Sequence, residues 1–212
     1  MRLPLFPLQS IFFPGEKIPL HIFEPRYLQL IYDCKNEAIS FGIPVYLNQL
    51  MPFGVEVVLE EIVKLYSTGE MDIICRAKKV IKIVAFEKNM GDKLYSGGVV
   101  TIIEDIRDGE IEIKRRVVNK IQVLYQLMGI PSVQTLAEEF DSFTLAHKIG
   151  LSKSQEYKLL QISIESDRLR FIETHLDELI VVLKEVNRTK ETIKFNGHFK
   201  NLDPLKFDDF KF

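Results

Sequence analysis

The chain has 212 residues, 46% hydrophobic and 27% charged, an ordinary globular composition with enough material for a sizeable core. A formal net charge of -2 gives no global pull toward nucleic acid or an anionic membrane. Two cysteines, Cys34 and Cys75, are too few for a disulfide framework or a structural zinc site, and both sit among apolar residues, as free thiols do in a reducing compartment.

Residues 1 to about 105 read as strands. Pro4 and Pro7 argue against a helical signal-peptide core, and no apolar run approaches the ~20 residues of a membrane span, so a cytoplasmic protein with no membrane partner is expected. Lys17–Ile22 and Ala38–Val45 are short apolar runs punctuated by proline and glycine. Between them Glu24-Pro25-Arg26-Tyr27 opens a short helix, because proline suits the first helical position. Leu28, Ile31 and Tyr32 are its predicted apolar face. Gly54–Ser67 and Met71–Phe86 form a long hairpin around Thr68-Gly69, and Tyr95–Ile103 adds a strand to a twisted antiparallel sheet. Cys75, Ala77, Ile81 and Ile83 should share one face of the return strand.

At Arg107-Asp108-Gly109 the period changes from 2 to 3.6. Val117, Ile121, Leu124 and Met128 make one helical stripe, stopped by Gly129 and Pro131. Ser152 and Gln155 form a capping box, and Ser166 is expected to cap the last helix. That helix carries Leu169, Ile172, Leu176, Leu179, Leu183 and Val186 at spacings of three and four. Strands followed by helices predict the α+β class. The expected division is a β-rich part over 1–108, a helical bundle over 109–187 and an extended aromatic-rich tail over 188–212. Five phenylalanines in that tail favour docking on the same chain or on a neighbouring copy over full solvation.

The opening series Leu3-Pro4-Leu5-Phe6-Pro7-Leu8, Phe13-Pro14-Gly15 and Pro19-Leu20-His21-Ile22-Phe23-Glu24-Pro25-Arg26-Tyr27 resembles the N-terminal substrate-binding domain of the Lon proteases. The resemblance covers roughly residues 1–186. It implies a PUA-like pseudo-barrel followed by helices, standing without the ATPase and protease domains of that family. It also implies a role in holding unfolded or peptide-like protein segments for a protease or chaperone partner. The family commonly has glycine and then arginine-phenylalanine where this chain has Ala77, Val80 and Ile81.

No Gly-x-x-x-x-Gly-Lys-Ser/Thr loop is present to hold nucleotide phosphates. Ser152-Lys153 are neighbours on a helix and diverge, so they make no nucleophile–base pair. The four histidines share no metal-ligand spacing, and no metal or cofactor is expected. The candidate peptide-binding residues are Phe12, Phe13, Glu24, Arg26 and Tyr27. An Arg fork and a Tyr ring on a cleft wall would hold peptide carbonyls or carboxylates, and a Phe-Phe-Pro-Gly turn would offer a sticky patch. The competing reading makes Glu24-Pro25-Arg26-Tyr27 a helix start that braces adjoining strands. The functional expectation is a non-catalytic peptide-binding module. The alternative is a PUA-like nucleic-acid-binding protein, resting on Arg76, Lys78, Lys79 and Lys82 and on Lys114, Arg115, Arg116 and Lys120. Nucleic acid is disfavoured, because flanking acids are abundant and the strand lacks base-stacking aromatics.

Overall fold

The computed structural model describes residues 1–131 and 140–199, excepting the side chains of 195–199. Six strands come first: β1 Arg2–Leu5, β2 Lys17–Ile22, β3 Phe41–Tyr46, β4 Leu50–Leu65, β5 Met71–Glu87 and β6 Ser96–Ile102, with helix α1 Pro25–Glu37 after β2. Helices α2 Ile111–Met128, α3 Ser142–Leu145, α4 Lys153–Leu160 and α5 Glu165–Phe199 follow. The fold is α+β.

The sheet is mixed and closes on itself. β1 lies between β3 (parallel) and β6 (antiparallel), β3 pairs β4, β4 pairs β5, and the second half of β5 returns to β6. β2 joins only the first half of β5, from Met71 to Arg76. The parallel strand β1 departs from the expected all-antiparallel sheet, and Pro4 within it hid it from the sequence pattern. Closure removes open edges from five strands at once. It also demands a narrow interior, filled by Leu3, Leu5, Ile81 and Val100. A Cβ on Gly98 would lie 2.5 Å from the Ala85 carbonyl oxygen, and one on Gly42 would lie 2.7 Å from Ile81 Cδ1. Gly98 therefore needs glycine because the neighbouring strand's backbone approaches too closely for a side chain, whereas at Gly42 only the methyl ends of Ile81 and Leu5 would have to shift.

α1 begins on Pro25 as expected, but its buried face is Tyr27, Leu30, Ile31 and Cys34, an i, i+3, i+4, i+7 set rotated from the expected one. Tyr32 is exposed. The expected capping box of Ser152 and Gln155 is present at α4. Ser166, by contrast, lies inside the first turn of α5, and its N–H and hydroxyl both donate to Asp108 in the linker, each at 2.9 Å. Those bonds hold the Asp108 carboxyl below its usual range. α5 is also longer than the pattern suggested. Residues 188–199 continue the helix where an extended tail was expected, and Pro204, the residue expected to block it, lies beyond its end. Residues 200–212 lie outside the described part.

One hydrophobic core runs through both halves. It joins Ile18, Ile73 and Cys75 of the sheet and Leu30 of α1 to Phe143, Leu160, Leu169 and Leu176 of the helical part. The linker adds a single bridge, in which Ile106 N–H donates to Ser163 O at 2.9 Å and Glu165 N–H donates to Ile106 O at 2.8 Å. Among the described residues after this bridge, none joins the sheet.

Candidate functional site

The middle of β5 is where the two halves leave space. β2 stops pairing at Arg76 and β6 starts at Ile81, so Lys78 and Lys79 have no strand neighbour on that side. On the other side the register against β4 shifts between Lys79 and Ala77, a bulge that lets the long strand bend from the outer sheet into the barrel. Ile103 N–H donates to Val80 O at 2.9 Å, carrying the linker across the end of this gap. The helical part forms the facing wall. The resulting cleft has a volume of about 330 Å³. Val80, Ile102, Ile103, Phe143 and Ile162 line it with apolar surface, while Lys78, Lys79, Arg107, Glu104 and Asp105 add both signs of charge.

Arg168 also borders the cleft, although it is 1% exposed. Its Nε donates to Ser142 Oγ at 2.7 Å and to Glu165 Oε2 at 3.0 Å, and one terminal nitrogen donates to Ile162 O at 2.9 Å. The other reaches Asp105 Oδ1 at 2.5 Å. The guanidinium carbon lies 4.2 Å from the centroid of the Phe143 ring. The Ser142 N–H and hydroxyl donate to Glu165 at 2.9 and 2.6 Å. Every buried side-chain polar atom described finds a partner, so this arginine is a joint between linker, α3 and α5.

The sequence-predicted residues divide between two places. Phe13 has no exposed surface; its ring stacks on Phe143 at 5.4 Å and tilts against His147 at 5.1 Å. Phe12 is half-buried against the core. Pro14, next in the chain, reaches the cleft. Glu24, Arg26 and Tyr27 are not among the residues that line it. Arg26 Nε donates to Glu24 Oε2 at 2.9 Å and the guanidinium sits 4.5 Å from the Tyr27 ring centroid. Tyr27 is buried and stacks on Phe6 at 3.7 Å, and desolvation pushes its phenol pKa up. Tyr27, expected with Arg26 on a cleft wall, and Phe13, expected on an exposed turn, thus both have their rings in the core. Arg168 escaped the sequence reading; its one signal was an acid three residues earlier, Glu165, just before an apolar stripe.

The family described as "ATP-dependent protease La (LON) substrate-binding domain" matches residues 2–178, which span the barrel, the linker and the helices into α5. The chain belongs to this family. Its fold is similar to that of a Lon N-terminal domain protein from Xanthomonas campestris, 26% identical with a TM-score of 0.59 over 80% of this chain and 95% of that one. The N-terminal domain of the Mycobacterium avium complex Lon protease shares the fold at 18% identity, with a TM-score of 0.60 over 84% and 98% of the two chains. Two curated relatives carry another name, tRNA-specific 2-thiouridylase MnmA. That of Wolbachia pipientis wMel is 30% identical over 144 residues and that of Wolbachia sp. subsp. Drosophila simulans (strain wRi) 29%. Each match covers 66% of this chain, which spans 38% of the length of each of these relatives.

In this LON substrate-binding domain the two basic clusters meet different fates. Arg116 donates to both oxygens of Glu173, Lys120 to Asp177 at 2.6 Å, and Lys114 to Phe140 O at 2.8 Å. Arg76 is engaged by Glu60 through two bonds of 2.7 and 3.1 Å. Lys78 and Lys79 make no ion pair among the described residues, and they are the pair at the cleft. Both cysteines are buried, and desolvation pushes each thiol up to about 12. Among the described residues no group of three His, Cys, Asp or Glu side chains is placed to hold a metal, and no helix is long and apolar enough to cross a membrane.

His147 links the halves beside the cleft. Nε2 faces Glu16 Oε1 at 3.1 Å and Nδ1 faces Glu156 Oε1 at 2.7 Å. Its bond to Glu16, reinforced by Glu156, raises the imidazole pKa to about 9. A raised folded-state pKa adds stability fully present below the ordinary value near 6.5 and lost as pH rises through 9. With the ring 42% exposed, screening reduces the contribution to about 1 kcal/mol. The stability difference between the wild type and His147→Gln, followed by urea unfolding, should be largest at pH 6 and absent at pH 10. A difference independent of pH would show that the ring acts by packing alone.

Proposed function

We propose that the cleft beside Lys78 and Lys79 holds an extended, largely apolar segment of a protein client and carries out no bond-breaking step. The observation that supports this best is the gap in β5: a strand segment with one unpartnered side, opening into an apolar cleft. An extended peptide laid there would gain main-chain hydrogen bonds from the strand and side-chain contact from Val80, Ile103 and Phe143. Mixed charge at the cleft suits a client with sparse charges of either sign. Membership of a substrate-binding family supports the same reading.

A second reading, docking of RNA, is favoured by the tRNA-specific name of the two curated relatives. Salt separates the two. A fluorescein-labelled, permanently unfolded casein fragment should bind with an affinity that changes less than about threefold between 50 and 200 mM salt, whereas a labelled tRNA would lose orders of magnitude. Ile102, 39% exposed at the cleft, offers the decisive variant. Ile102→Asp should weaken casein binding about tenfold, ~1.4 kcal/mol, while moving the unfolding midpoint by only a few degrees. Unchanged casein affinity in a folded Ile102→Asp protein would overturn the proposal.

A further inference from the structure

Away from the cleft, the helical part carries a second concavity of about 440 Å³ between α2 and α5. Leu124, Met128, Ile130, Ile149, Leu179 and Leu183 line it, so the walls are almost wholly apolar. Met128 and Ile130 remain 53% and 42% exposed at its mouth, an unusual amount of surface for large apolar side chains that lie together. Gly129, at φ 70°, holds Ile130 there, with Ile130 N–H donating to Tyr125 O at 2.9 Å. The groove is therefore bounded by the capped end of α2.

We propose that the occupant of this groove is the chain's own segment 204–212, with Phe210 and Phe212 as its anchors. The reach of the chain allows this segment. From Phe199, where α5 ends, back to Leu183 is sixteen residues, or about 24 Å along the helix, and back to Leu179 is twenty residues, about 30 Å. Residues Lys200-Asn201-Leu202-Asp203 before Pro204 are suited to a reverse turn. Seven extended residues beyond the turn bring Phe210 back about 23 Å, and nine bring Phe212 back about 30 Å, at ~3.3 Å per residue. The two rings thus come level with Leu183 and Leu179. Their i, i+2 spacing places both on one side of an extended chain and turns Lys211 toward water.

Cross-linking tests this in the full chain. The native thiols of Cys34 and Cys75 are buried, so introduced cysteines react selectively. Lys148→Cys, at the rim of the groove, is paired with Lys211→Cys, which leaves both anchors and the apolar walls in place. Treated with a bismaleimide spanning about 8 Å, this pair should give an intrachain product at least tenfold faster than Val63→Cys paired with Lys211→Cys. Val63 is exposed on β4, away from the groove. Equal rates would overturn the proposal, and so would a product of dimer size, which would place the segment on a second copy. As a check without introduced thiols, amide exchange over Gln126–Ile130 should accelerate about tenfold when Phe210 and Phe212 are both changed to Ser. Unchanged exchange there would overturn it equally.

Discussion

Replacing Arg168 by Ala is expected to destabilise the protein by about 3–5 kcal/mol, read from urea unfolding at pH 7. The side chain is almost wholly enclosed and bonds to Ser142, Glu165, Ile162 and Asp105 at once. Its removal strands the Glu165 carboxylate, 4% exposed, without its cation. The penalty arises from that uncompensated charge more than from the lost attraction, because burying the ions already costs several kcal/mol each. A second variant isolates this cause. Arg168→Met combined with Glu165→Gln removes both charges while keeping side-chain volume, and should recover at least half of the lost stability. Loss of less than 1 kcal/mol on Arg168→Ala would show that Asp105 and Glu165 take alternative partners or water. The same variant loosens the wall of the cleft, so casein binding should weaken in protein that is still folded.

The second large effect is expected at Phe13. Phe13→Ala should cost about 3–5 kcal/mol, against less than about 2 kcal/mol for Phe12→Ala next to it. Phe13 is fully enclosed and stacks on Phe143 of the helical part, whereas Phe12 only packs against the margin of the core. Because the core is continuous across the linker, the two halves should unfold together. Far-ultraviolet circular dichroism and tyrosine fluorescence should therefore give coincident curves for the wild type and for Phe13→Ala. Separated transitions in the variant would mean that Phe13 supplies the coupling itself. Equal costs at the two positions would contradict the burial pattern.

Local chemistry already written in the sequence determined much of this protein. Pro25 starts α1, Gly129 stops α2, and Ser152 with Gln155 caps α4, because each rests on backbone demands within a few residues. The change of period at Gly109 separates the strands from the helices, and the opening Pro-Leu and Phe-Pro-Gly series points to the LON substrate-binding family that the comparison establishes. Phase and closure were decided elsewhere. Leu28, Ile31 and Tyr32 satisfy helical spacing as well as Tyr27, Leu30, Ile31 and Cys34 do, and only the sheet beneath α1 selects between the faces. Tyr27 and Phe13 are amphipathic or aromatic residues that suit either a cleft or a core, and Phe6 and Phe143 place them in the core. The cleft exists because β2 stops short on one half of β5 and β6 begins on the other, while α3 and α5 arrive from more than sixty residues further along the chain. Such a gap is a property of strand pairing at long range. No residue near Lys78 encodes it alone, since the register of β5 is set by three different strands and the facing wall by Arg168.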